Sequence, residues 1–330
     1  MPAGSGASGP VLADLPSSAG LLSGAPNGAP NGSAGGLPSG SPGGIPGGSR
    51  WGDLNRRVIS ALVILPVALG CVWAGGYPYL LFVSVACLLL GHEWLTMCGY
   101  TRSGPVFFWF PVTLAAVVVA SGLGAPGSGL LVVLLGFVAV VAFEWKADHA
   151  AAHGMFAAVR TRRPFFLALG MPYVGLAAVA LPWLRADPVA GLANTLFMLA
   201  IIWASDIGAY MIGRIVGGPK LAPSISPGKT WSGAIGGLVS AMLASLGVAA
   251  CLTSGISASD VIGPAIVLGV ISQVGDLLES ALKRHFGVKD SGRIIPGHGG
   301  LFDRLDALLA VAPVAALLAF TVGRGVVLWR

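Results

Sequence analysis

From residue 58 onward the chain reads as long apolar runs separated by short polar ones. The runs fall at 58–74, 78–98, 105–121, 128–147, 165–183, 191–213, 232–254, 260–282 and 305–323, each 17 to 23 residues long. A helix rises about 1.5 Å per residue, so a run of this length crosses the ~30 Å hydrocarbon core of a bilayer. The pattern predicts an all-α, polytopic integral membrane protein of about nine transmembrane helices. Residues 1–50 follow a different rule. Gly, Ser, Pro and Ala dominate them, "PNGAPNG" repeats a turn dipeptide, and almost no charge precedes Arg50. Such a segment buries too little apolar surface to offset its ordering entropy, so a disordered tail is expected. It lacks a basic stretch followed by an apolar one, so a signal peptide is not expected.

Composition agrees with the pattern. Hydrophobic residues make up 55% of the 330 and charged residues 10%, against roughly 25% charged in a soluble domain. The four cysteines, Cys71, Cys87, Cys98 and Cys251, lie in or beside apolar runs without CxxC spacing. They read as small core residues rather than a zinc site or a disulfide framework.

Charge adds an orientation. With the N-terminus inside, the cytoplasmic segments hold Arg50, Arg56, Arg57, Arg102, Lys146, Arg160, Arg162, Arg163, Arg214, Lys220 and Lys229, then Lys283, Arg284, Lys289, Arg293 and Arg304. Those are 16 of the 19 basic residues; only Arg185, Arg324 and Arg330 fall on the other side. This positive-inside bias supports nine spans in a cytoplasmic membrane, N-terminus in and C-terminus out. It puts the two richest loops, 214–231 and 283–304, on the cytosolic side.

Four carboxylates lie within spans, where each costs about 2.5 kcal/mol or more at the bilayer centre: Glu93, Asp206, Asp276 and Glu279. Asp206 and Asp276 precede their basic exit residues, Arg214 and Lys283, by eight and seven positions. Two acids on different helices are thus expected at one depth, about 10–12 Å below the cytosolic exit. Asp276, Glu279 and Lys283 share a helical face, which is either a salt-bridged stripe or one wall of a metal and phosphate site. Glu93, at a span end, reads as a structural acid. His149 and His153 have ligand spacing, but no third ligand accompanies them.

The loop "GGPKLAPSISPGKTWSG" (217–233) contains "PGKT" yet is no P-loop, because Pro223 stands where the motif needs Gly and a membrane span precedes it. It still presents Lys220, Ser224, Ser226, Lys229 and Thr230 beside free backbone N–H groups, a set suited to a phosphate chain. An ordinary positive-inside connector is the alternative. In "KDSGRIIPGHGGLFDRLD" (289–306), glycines 297, 299 and 300 around His298 allow tight bending and close approach. Lys289, Arg293 and Arg304 supply cations there, while Asp290, Asp303 and Asp306 are hard oxygen ligands. A connector needs only the cations; a metal–triphosphate site needs both signs.

The stretch "SALKRHFGVKDSGRIIPGHGGLFDRLD" (280–306) resembles the signature of phosphatidate cytidylyltransferases, or CDP-diacylglycerol synthases. Its marks are Ser280, Lys283, Arg284, Lys289, Asp290, Pro296, His298, Gly299, Gly300, Asp303, Arg304 and Asp306. "SQVGDLLES", "ISPGKTWSG", "WASDIGAY" and "DLNRRVISALVILP" extend the likeness over roughly 52–323. Gly228 and Ser232 stand where Lys and Glu are common in the family. The resemblance implies CMP transfer from CTP to phosphatidate, giving CDP-diacylglycerol and pyrophosphate, with Mg²⁺ and a second metal for which K⁺ is the candidate. It implies Mg²⁺ on Asp206 and Asp276, with Asp303 a further ligand. Phosphates would be gripped by Lys229, Lys283, Arg284, Lys289 and Arg304, with Ser226, Thr230, His298, Gly299 and Gly300 lining the same site. Residues 51–190 then carry N-terminal spans and 191–330 the catalytic region. The partners expected are CTP, phosphatidate, the bilayer and a second copy of the chain, not nucleic acid. A secondary transporter also uses acids within spans, but it predicts midplane acids and inverted repeats, and no repeat is visible.

Overall fold

The structure, a computed structural model, describes residues 50–100, 105–123, 125–151, 163–292, 294 and 299–330. The glycine-rich segment before residue 50, His153, Arg293 and His298 lie outside the described residues. The described chain forms nine helices: α1 (Arg50–Ala74), α2 (Gly76–Met97), α3 (Val106–Leu123), α4 (Pro126–Ala151), α5 (Arg163–Arg185), α6 (Gly191–Val216), α7 (Trp231–Leu252), α8 (Ala258–Phe286) and α9 (Phe302–Val322). Eight of them, α2 to α9, contain stretches long and apolar enough to cross a membrane. In α1 the segment Leu62–Ala74 is apolar but shorter. Helices are the required form here, because an open strand in hydrocarbon leaves backbone N–H and C=O groups without partners.

Packing relies on small residues, since Leu and lipid tails are equally apolar and burial alone cannot draw helices together. On α7, Gly233, Gly237, Ala241, Ser245 and Ala249 recur every fourth position and are all buried. They let α7 lie against α6 so closely that a Cβ on Gly237 would stand 2.7 Å from the Ser205 carbonyl oxygen. Between α8 and α9, a Cβ on Gly275 would stand 2.6 Å from the Ala310 Cβ. That approach brings the neighbours of Gly275 and Ala310 along both helices into one another's reach. Helix α5 packs on α2, α3, α4 and α9, so helices on either side of residue 190 are in contact.

At the end of the bundle opposite the polar loops, Arg185 at the end of α5 donates to Val72 O at 2.6 Å and Trp73 O at 2.9 Å. It thereby satisfies carbonyls at the C-terminus of α1, where the helix itself offers no partners. At the same end Asp187 accepts from the N–H groups of Val189 and Ala190, both at 2.9 Å, and of Gly325 at 2.6 Å. Asn194 accepts from Leu328 N at 2.8 Å, and Trp329 is buried against Phe197. The chain after α9 is therefore tied to the start of α6.

Two differences from the sequence reading matter. The segment 214–231 is no plain loop: after α6 comes an antiparallel hairpin, β1 (Lys220–Ala222) and β2 (Ser226–Thr230), pairing Lys220 with Thr230 and Ala222 with Ser226. The segment 283–304 is shorter than expected, because α8 continues through Lys283 and Arg284 and α9 begins at Phe302. Cations in a last turn and Asp303 in a first turn complement the helix dipoles, which extends both helices into the polar region.

Candidate active site

Strand β2, and the ends of α2, α6, α8 and α9, converge on one polar centre. Asp276 on α8 forms an ion pair with Lys229 on β2. The carboxylates of Asp276, Glu279 and Asp306 offer oxygens that all lie within 4.8 Å of one another. The i, i+3 spacing places the first two on one face of α8, and the close approach at Gly275 brings Asp306 of α9 against them. Asp206 on α6 stands within electrostatic reach of Asp276, Asp306 and Lys229. The two acids matched in depth by the sequence thus stand within electrostatic reach of each other, with Lys229 of the hairpin paired to Asp276.

A second set of contacts orders the loop between α8 and α9. Lys283 Nζ lies 2.7 Å from Glu279 Oε1 and donates to Asp303 Oδ1 at 2.8 Å. The contact to Glu279 is an ion pair that binds a buried carboxylate one turn earlier on the same helix. Asp303 also accepts from Ser291 N at 3.0 Å and Gly300 N at 3.1 Å. Its oxygens are therefore given to a lysine and two backbone amides. It holds the loop in shape, and the three-carboxylate group contains Glu279 and Asp306 instead.

Glu93, from α2, completes the loop's anchorage. It is buried and accepts from Phe302 N at 2.7 Å, Leu301 N at 2.9 Å and Ser291 Oγ at 3.3 Å. The N-terminus of α9 is capped by a side chain about 209 residues away in sequence. This contact also accounts for two glycines. A Cβ on Gly292 would stand 2.5 Å from Glu93 Oε1, and one on Gly300 would stand 1.9 Å from Ser291 Oγ. Gly299 has φ +86°, a conformation side chains resist. Gly292 and Gly300 thus serve close packing of the loop on Glu93.

The other residues singled out by the sequence distribute as follows. Thr230 is buried and caps α7, accepting from Gly233 N at 3.1 Å, so its hydroxyl serves the helix. Ser226 stands in β2 opposite Ala222. Arg284, Lys289 and Arg304 are exposed, at the end of α8, in the following loop and in the first turn of α9. The sequence offered Glu279 as an acid within a span and Asp306 as the last acid of the signature, but only the helix crossing at Gly275 puts them in one cluster. Chemically, three hard oxygen donors with Asp206 beside them can take a small divalent cation, and the flanking lysines can take phosphate.

A model of the "Cytidylyltransferase family" matches residues 55–322, most of the chain. The chain is 37% identical over 268 residues to the phosphatidate cytidylyltransferase of Brucella suis biovar 1 (strain 1330), covering 80% of this chain and 93% of the relative. The protein of that name from Staphylococcus aureus (strain COL) is 31% identical over 264 residues, covering 79% of this chain and 97% of the relative. Membrane-spanning helices, a carboxylate cluster flanked by lysines at one end of them, and these relatives agree: the chain belongs to the cytidylyltransferase family.

Proposed function

We propose that this chain transfers CMP from CTP to phosphatidate, releasing pyrophosphate and leaving CDP-diacylglycerol in the membrane. The observation that carries this reading is the grouping of Asp276, Glu279 and Asp306 with Lys229 and Lys283 at the end of membrane-spanning helices. A lipid phosphate and a water-soluble nucleotide can meet only at such a boundary. Family membership and the names of the relatives weigh against the transporter reading.

The site fits a divalent cation by its chemistry. Three carboxylates whose oxygens lie within 4.8 Å of one another repel, and a divalent cation between them removes that conflict. Asp276, Glu279 and Asp306, with Asp206 adjacent, would hold Mg²⁺, which when bound neutralises triphosphate charge and the leaving pyrophosphate. A second cation such as K⁺ would share the same acidic surroundings.

The reaction forms a bond from a phosphatidate phosphate oxygen to the α-phosphorus of CTP and breaks the bond from that phosphorus to the α,β-bridging oxygen, which leaves with pyrophosphate. Both reactants are anions, so the protein must screen and align them. Lys229 is half-exposed and paired to Asp276, a position from which its ammonium can turn toward an arriving phosphate. Lys283 uses two donors on Glu279 and Asp303 and keeps one more for a phosphate oxygen. Arg284, Lys289 and Arg304 form the exposed cationic approach. Phosphatidate already carries an ionised phosphate near neutral pH, so no side chain has to remove a proton. The positive-inside asymmetry orients this end toward the cytosol, the source of CTP.

The test is CTP-dependent pyrophosphate release by purified protein. The account expects release only when phosphatidate is supplied; release with diacylglycerol in its place, or none with phosphatidate, would contradict it.

A further inference from the structure

Helix α5 contributes a group to the site that no charge pattern announces. The Tyr173 hydroxyl is shielded from solvent and makes no hydrogen bond to any described residue. It lies within electrostatic reach of Asp306 and Glu279. A buried hydroxyl without a partner forfeits the hydrogen bonds it would make in water, so such groups call for an explanation.

The ring cannot easily turn away to find a partner. Its centroid lies 5.9 Å from that of Trp94 and 5.7 Å from that of Phe302, with planes tilted. Trp94 is itself fixed, buried and donating Nε1 to Leu167 O at 3.3 Å. Its indole presses on the α5 backbone at Gly170, where a Cβ would stand 2.2 Å from Nε1. The aromatic contacts thus hold the phenol one turn beyond that approach.

Depth agrees. Tyr173 follows the start of α5 at Arg163 by ten residues; Asp206 and Asp276 precede the ends of α6 at Val216 and α8 at Phe286 by ten. At about 1.5 Å per residue, all three stand about 15 Å from helix ends that successive crossings put on one side. Glu279, in the same cluster, is already held at 2.7 Å by the Lys283 ammonium. A buried donor is left open beside this cluster, as expected where an oxygen-bearing guest completes it.

We propose that Tyr173 is a positioning residue of this site, its hydroxyl donating a hydrogen bond to an oxygen carried on the cation at Asp276, Glu279 and Asp306. That oxygen belongs to a coordinated water or to a nucleotide phosphate. The proposal rests on reading the cluster as a cation site. It gives α5, which precedes the region 191–330 that holds the clustered acids, a direct part in ligand binding.

Tyr173→Phe keeps the ring and its packing and removes the donor. The full chain in detergent is titrated with Mn²⁺, read by paramagnetic resonance, alone and with CTP but without phosphatidate, and its melting temperature is measured. The variant is expected to melt at or above the wild-type temperature, since no described residue bonds the hydroxyl. Its Mn²⁺ dissociation constant should rise about fivefold or more, the effect of one lost hydrogen bond. A rise in both titrations assigns the oxygen to water; a rise only with CTP assigns it to phosphate. Unchanged constants in both titrations, beside a wild type that binds Mn²⁺, would overturn the proposal. So would a variant that fails to fold, which would give the hydroxyl a structural role. A wild type that binds no Mn²⁺ would remove the cation reading and this proposal with it, so the two failures are told apart.

Discussion

Glu93 on α2 accepts the backbone N–H of Phe302 at 2.7 Å and so caps the first turn of α9, the helix that carries Asp303 and Asp306. Leu301 N and Ser291 Oγ join the same carboxylate, tying the loop between α8 and α9 to the first half of the chain. Replacing Glu93 by Ala strands the buried N–H of Phe302, at a cost of about 1–3 kcal/mol, and removes the acceptor of the part-buried Leu301 N–H as well. Glu93→Ala should therefore lower the melting temperature and most of the turnover together. Gly300→Ala should act alike, since its Cβ would collide with Ser291 Oγ and stand 2.8 Å from Gly292 N. Thermal melts and turnover of both variants check this; wild-type values in either would show that the loop does not depend on this contact.

Lys229→Met removes the partner of Asp276. If the ammonium also meets the triphosphate, one charge-assisted contact of about 1.5–3 kcal/mol is lost. A fall of about tenfold or more in kcat/KM for CTP is expected, with a smaller change in the KM for phosphatidate. Equal effects on both substrates would return the hairpin to a connecting role.

The sequence made the helices legible and left the site half legible, for physical reasons. Apolar runs of bilayer length have one solution for their backbone, so nine runs became nine helices. The hairpin escaped notice because β1 has three residues and β2 contains Pro227 and Gly228, which suggest a turn. Asp206 and Asp276 stood out because acids are expensive in a span, and the structure does put them within electrostatic reach of each other. Asp303 and Asp306 are three residues apart on one helix, and charge alone could not separate them. One turns to Lys283 and two amides, the other to the cluster. Tyr173 carries no charge, and its place depends on where α5 meets α9.

Orientation has a direct test. Ser291 is buried against Glu93 and makes a poor reporter, whereas Ser224 and Asp290 are exposed. In a variant lacking the four native cysteines, Ser224→Cys and Asp290→Cys should resist an impermeant thiol reagent in intact cells and react in inverted vesicles. Reaction of both from outside would reverse the assigned side.

Asp187 provides a pH dependence distinct from the site. Burial favours its neutral form, but the N–H groups of Ala190, Gly325 and Val189, with Arg324, outweigh this and hold its carboxyl below the usual range. A depressed value means stability is fully present above the unfolded pKa of about 3.9 and lost as pH falls through the folded one. The melting-temperature advantage of wild type over Asp187→Asn should therefore be constant from pH 7 to about 5 and shrink below about 4. An advantage that grows with acid would contradict the assignment.

The central claim is that acids from separate helices hold one catalytic cation. Asp276→Asn and Asp306→Asn preserve size and remove one charge each from the cluster, and Asp206→Asn removes the adjacent one. The deciding measurement is initial rate against Mg²⁺ concentration for wild type and these three variants, in preparations matched for membrane insertion. The account predicts that Asp276→Asn and Asp306→Asn lose nearly all turnover and that Asp206→Asn needs more Mg²⁺ for what it keeps. It also predicts that the Asp276→Asn/Asp306→Asn double variant is no worse than either single one, because each dismantles the same site. Near-normal turnover of Asp276→Asn or Asp306→Asn, with an unshifted Mg²⁺ dependence, would contradict it.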